Sequence, residues 1–153
     1  MAKFKALSRG SQIVLITGPL LFASLFFTWQ NVEVDYGRAG VATLPLDGWD
    51  AWGLVLALLA VGVTTIVALE NLTEIEMSSD ISWPSVTLAC GLAILAIAVL
   101  KNLTDAGSSW ASYGFVALAA VLALGTYLDW AAARKDHGPM LAAQKRRGVR
   151  STA

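Results

Sequence analysis

Charge is scarce in this chain. Only 14% of its 153 residues are Asp, Glu, Lys or Arg, while 56% are hydrophobic. Soluble domains average about 25% charged and about 45–50% apolar, so composition alone excludes an ordinary soluble globular protein. Cysteine is nearly absent: Cys90 stands alone, which rules out an internal disulfide. The single histidine, His137, sits beside Gly138-Pro139 without a second His or a Cys pair to share a metal. The sequence has no Gly-rich phosphate loop, and no nucleophile, base and orienting group at a recognisable spacing. These shortages lead us to expect a non-enzymatic protein with no catalytic residues, cofactor, metal or nucleic-acid partner.

What is present is four apolar runs, at about 12–29, 52–69, 84–100 and 111–130, with no charged residue in the middle of any. A bilayer core about 30 Å thick takes roughly 20 apolar residues as helix. Lipid offers the backbone no hydrogen-bond partner, so each run is predicted to be helical. The expected fold is an all-α, four-helix transmembrane bundle over residues 12–134. It is preceded by an N-terminal arm (1–11) and followed by a basic tail (135–153) expected to be disordered. The run at 13–27 leads into Thr28-Trp29-Gln30 with no small-x-small cleavage pattern, so it is read as a retained span.

Basic residues set the expected orientation. Lys3, Lys5 and Arg9 precede the first run; Arg134, Lys135, Lys145, Arg146, Arg147 and Arg150 follow the last; only Arg38 and Lys101 lie elsewhere. Lys and Arg favour the cytoplasmic side, which predicts a multi-pass protein of the cell membrane with both termini inside. Arg134, Lys135, Lys145, Arg146 and Arg147 are candidate contacts for lipid headgroups. The loop 70–83 is acidic, with Glu70, Glu74, Glu76 and Asp80, and is either a solvated loop or a dock for the basic tail. All six Trp residues fall near run ends, and are read as interfacial anchors. Asp50, Glu70, Lys101 and Asp129, also near run ends, are read as ordinary interfacial charges rather than an ion pathway.

The loop 30–51 is the longest connection. Val32, Val34 and Tyr36 alternate with Glu33 and Asp35, a strand pattern, and Gly37-Arg38-Ala39-Gly40 signals a turn. This predicts either a short extracellular β-hairpin or an irregular ordered loop. Trp49-Asp50-Ala51-Trp52-Gly53 and Trp110-Ala111-Ser112-Tyr113-Gly114 open the second and fourth runs with one shared phrase. In both copies a glycine after an interfacial aromatic lets a neighbouring backbone approach. The interaction candidates are therefore Tyr36, Arg38, Trp49, Asp50, Trp52, Gly53, Trp110, Tyr113 and Gly114. Two stripes of small residues, Ala89/Ala93/Ala96 and Ala119/Ala123, offer helix-packing faces.

Ser24-Leu25-Phe26-Phe27-Thr28-Trp29, Gly48-Trp49-Asp50-Ala51-Trp52-Gly53 and Tyr113-Gly114 resemble phrases in a broad set of uncharacterised small four-helix integral membrane proteins of actinobacteria, with Thr28 where that set often has Pro. The resemblance covers about residues 12–134 and implies topology only. The layout is also similar to that of claudins, but the claudin loop cysteines are missing, so no function is carried over. The expected role is an accessory or scaffold subunit of a membrane assembly, binding through loop 30–51 and the small-residue helix faces. Its partners would be membrane lipids and another membrane protein or further copies of itself. The competing expectation is a small oligomeric transporter or channel.

Overall fold

The computed structural model describes residues 4, 6–73, 81–105 and 107–150. Helix α1 spans Arg9–Ser24, strand β1 Thr28–Asp35 and strand β2 Val41–Asp47. Helices α2, α3 and α4 span Ala51–Leu72, Trp83–Thr104 and Trp110–Arg150. A 3₁₀ turn at Gly37–Ala39 joins the strands. The helices pack as a ring, with α1 against α2 and α4, and α3 against α2 and α4. The protein is thus a four-helix bundle with a β-hairpin at one end, the hairpin end; the other we call the termini end.

Three helices are long and apolar enough to cross a membrane: α2, α3 and the Trp110–Lys135 portion of α4. Helix α1 differs from the expected 12–29 run. It has 16 residues, about 24 Å at 1.5 Å per residue. Its end is marked by the Ser24 hydroxyl, which donates back to the Leu21 carbonyl at 2.7 Å. Leu25, Phe26 and Phe27 then donate to carbonyls three residues back, the 3₁₀-type closure of a last helical turn. Thr28 and Trp29 belong to β1. At the other extreme, the backbone of α4 continues helical past 130, through Ala131, Ala132 and Ala133 and into the segment read as a tail.

Helix starts follow their capping chemistry. The Ser8 hydroxyl accepts from Ser11 N–H at 3.0 Å, and the Asp50 carboxylate from Gly53 N–H at 2.7 Å. Ser109 caps α4 by accepting from Ala111 N–H at 3.2 Å. Pro84 lies in the first turn of α3, where a missing N–H costs nothing. The core is mostly apolar: Val14 and Leu21 of α1, Leu56 and Val63 of α2, Ile94 of α3 and Leu122 of α4 are all at most 1% exposed.

Small residues let the helices close up. A Cβ on Gly10 would stand 2.5 Å from the Gly125 carbonyl oxygen, and one on Gly125 2.9 Å from the Ile13 side chain, so α1 and α4 touch nearly backbone to backbone. One of the two alanine stripes is used the same way: Ala119 and Ala123 are buried within the bundle. Ala89 and Ala96 of the other are exposed.

Candidate interaction site at the hairpin end

The hairpin is antiparallel, with Val32 opposite Leu44, Val34 opposite Ala42 and Glu33 opposite Thr43. Directly opposed residues share a face. One face therefore carries Val32, Val34, Ala42, Leu44 and Leu46, and the other Asn31, Glu33, Asp35 and Thr43. Of the two forms expected for loop 30–51, the structure has the hairpin. Its turn uses two glycines in the left-handed region, Gly37 at φ 64° and Gly40 at φ 95°. Tyr36 N–H donates to the Gly40 carbonyl at 2.9 Å, and Gly37 N–H to the Asp35 carboxylate at 2.8 Å.

The base of the hairpin is tied to the bundle at several points. Asn31 N–H donates to Gly107 O at 3.0 Å, Ser109 N–H to Trp29 O at 2.8 Å and Gly48 N–H to Leu25 O at 3.0 Å. The Ser109 hydroxyl donates to the Thr28 carbonyl. A register shift between Thr28 and Gln30 leaves Trp29 as the extra residue of a bulge, a device that re-aims a side chain. Trp29 turns into the bundle and is 2% exposed. Its indole N–H donates to Ser24 O at 2.9 Å, and its ring lies 4.6 Å from that of Phe115. This corrects the reading of all six tryptophans as interfacial anchors.

Beneath Trp29 lies a buried cation. The Lys101 side chain is 3% exposed. Its ammonium pairs with Asp50, lies 2.8 Å from Asp105 and sits 5.6 Å from the centre of a Trp29 ring. The cation cannot reach water as an ordinary interfacial charge would. Asp50 serves two elements at once: one carboxylate oxygen caps α2 and the other holds Lys101 of α3. Burial works against the Asp50 charge, but the Lys101 hydrogen bond, the Gly53 N–H and the Lys101 charge outweigh it, so its pKa is lowered from the ordinary 3.8.

The sequence-predicted residues fall into three groups. Tyr36 and Arg38 are exposed at the hairpin tip. Trp49, Asp50, Trp52 and Gly53 gather where the hairpin returns to α2. The Trp49 ring meets Phe26 edge-on at 5.1 Å, Trp52 is exposed, and a Cβ on Gly53 would overlap the Gly48 carbonyl. Trp110, Tyr113 and Gly114 lie together on the exposed face of α4. Nothing stands within 4 Å of a Cβ on Gly114, so its expected close approach occurs at Gly53 alone. Sequence reasoning missed Lys101, Asp105 and Trp29 as a unit. The available signal was a lysine just past the end of an apolar run, four residues before an aspartate, at the bundle end where Asp50 also falls.

At the termini end, Asp129 accepts from the Ser8 hydroxyl and, at 2.9 Å, from the Ser11 hydroxyl, rather than pairing with Arg134. Ala6, Ser8, Glu70, Asn71 and Thr73 are among the residues lining an open cleft of 430 Å³ there. Arg134 and Lys135 are exposed. The side chains of Lys145, Arg146 and Arg147, and the loop residues Glu74, Glu76 and Asp80, lie outside the described residues. No family model matches the chain, and no curated protein or solved structure matches it either.

Proposed function

We propose that this chain is a non-enzymatic accessory or scaffold subunit of a membrane protein assembly. It binds its partner through the hairpin and through the exposed small-residue face of α3, from the cell membrane and with both termini cytoplasmic. The observation that carries this reading is an apolar surface held rigidly in the open. Leu44 and Leu46 are 43% and 47% exposed, on a hairpin whose base is fixed by backbone hydrogen bonds and the buried Lys101 cluster. Isolated hairpins are marginal in water, and exposed apolar patches on an ordered element mark interaction sites. Loops presented on a rigid scaffold are where binding concentrates. The cytoplasmic placement of the termini is supported by the clustering of Lys and Arg in the two terminal segments.

The test is extraction in mild detergent followed by affinity purification of the tagged chain. A stoichiometric membrane partner is expected, and it is lost from a Leu44→Asp, Leu46→Asp double variant that still purifies as a folded bundle. Solute or ion flux through liposomes holding the purified chain alone would replace this reading with the transporter one.

A further inference from the structure

We propose that the termini end of α4 carries a binding site for the phosphodiester headgroup of an anionic phospholipid, built from Tyr127, Trp130, Arg134 and Lys135. The site is independent of the hairpin and of the partner proposed above. Residues 127, 130 and 134 follow the spacing that puts side chains on one helix face. The Tyr127 and Trp130 rings lie 5.9 Å apart, and the Arg134 guanidinium sits 4.5 Å from the centre of the Trp130 ring. Tyr127 is half exposed and Arg134 and Lys135 are exposed, so the stack opens outward from the bundle.

Depth places this stack at the phosphates. The exposed Trp110 opens α4 at the hairpin end. From Trp110 to Trp130 the helix rises about 30 Å at 1.5 Å per residue, which equals the thickness of a bilayer's hydrocarbon core. The two indoles thus mark the two interfaces, where Trp is favoured. Arg134, one turn further on, stands about 6 Å beyond the second interface, in the headgroup layer.

The chemistry of the guanidinium completes the argument. The guanidinium lies over the Trp130 indole, a cation–π contact that holds it in place. Its N–H edge has no hydrogen-bond or ion-pair acceptor among the described residues. The neighbouring carboxylate that could have taken it, Asp129, is engaged by Ser8 and Ser11. A planar fork of donors held at phosphate depth suits bidentate recognition of a phosphodiester. Lys135 adds a second positive charge, which favours a headgroup with net negative charge over a zwitterionic one.

Native mass spectrometry of the full-length protein, titrated with phosphatidylglycerol or phosphatidylcholine, tests this. The wild type is expected to retain phosphatidylglycerol in preference to phosphatidylcholine. Arg134→Gln is expected to weaken phosphatidylglycerol binding about fivefold, the worth of one basic residue at a membrane surface. Trp130→Leu should also weaken it, by releasing the guanidinium, and Arg134→Lys should fall between wild type and Arg134→Gln because it keeps the charge without the fork. Arg134 is exposed and Trp130 partly so, and unchanged thermal unfolding of Arg134→Gln separates loss of binding from loss of fold. Equal retention of the two lipids by the wild type overturns the proposal, as does undiminished phosphatidylglycerol binding by Arg134→Gln. So does full displacement of the lipid by inorganic phosphate, which would make this a free-anion site.

Discussion

Lys101 and Asp50 form an ion pair whose two halves are unequally placed: the Lys101 side chain is 3% exposed and the Asp50 side chain 46%. Removing one partner of a buried pair is costly because the other is left charged without compensation. Here the cost depends on which partner goes. Asp50→Ala strands a buried ammonium on Asp105 alone and also removes the cap of α2, a loss of about 2 kcal/mol with the cap contributing about half. Lys101→Met leaves carboxylates that can turn to water and fills the site with an unbranched apolar chain, so it should cost no more than about 1 kcal/mol. Thermal unfolding in detergent checks the order, and a Lys101→Met variant less stable than Asp50→Ala would refute the assignment. The same pair sets a pH dependence. The folded-state pKa of Asp50 is lowered, so its contribution is fully present above the ordinary 3.8 and is lost as pH falls through the lower folded value. Wild-type stability should therefore drop in acid below about pH 4, with a smaller drop in Asp50→Ala. Only the Lys101–Asp105 spacing was legible from the sequence; Lys101 and Asp50 are 51 positions apart, and each alone looks like an ordinary charge at a helix end. Trp29 misled for a related reason: its inward turn depends on a bulge, and a bulge leaves no mark on an apolar–polar pattern.

Elements were more legible than residues wherever their signal is local. The alternation of Val32, Val34 and Tyr36 with Glu33 and Asp35 is a property of adjacent residues, and it correctly indicated a strand. The apolar runs likewise located the helices, because lipid-facing and core-facing positions are both apolar and only length is being read. The end of α1 was misjudged since Leu25, Phe26 and Phe27 continue the apolar run while their backbone leaves the helix. The glycines divide by what surrounds them, which periodicity does not report. Gly125 lies in the α1–α4 contact and Gly114 on the open face of α4. Gly125→Leu should force these helices apart and cost about 1–3 kcal/mol. A Cβ on Gly114 meets nothing within 4 Å, so Gly114→Leu should stay within about 0.5 kcal/mol of wild type, apart from the gain in helix propensity. Unfolding midpoints of the two variants in one detergent give the comparison, and equal losses would contradict the observed helix packing.

For the molecule as a whole, topology turns on α1. Its 16 residues reach about 24 Å, less than the about 30 Å of an average hydrocarbon core. Its contacts nevertheless run from one end of the bundle to the other. At its start, Gly10 meets Gly125 and Asp129 of α4. Just past its end, Trp29 packs on Phe115 of α4, and Leu25 receives the Gly48 N–H beside the start of α2. The stretch of α4 between Phe115 and Asp129 rises about 21 Å, most of the apolar depth. A short span of this kind is accommodated by local thinning of the bilayer and by flanking residues reaching to the interface, and Arg9 stands at its start. Helix α1 should therefore cross with the other three, and four crossings return both termini to one side. In a Cys90→Ser background, a membrane-impermeant maleimide should label Arg38→Cys at the hairpin tip in intact cells. Lys135→Cys and a cysteine in an N-terminal tag should react only after permeabilisation. Labelling of the N-terminal cysteine together with Arg38→Cys would mean that α1 lies against the bundle without crossing, leaving a three-span protein with its termini on opposite sides.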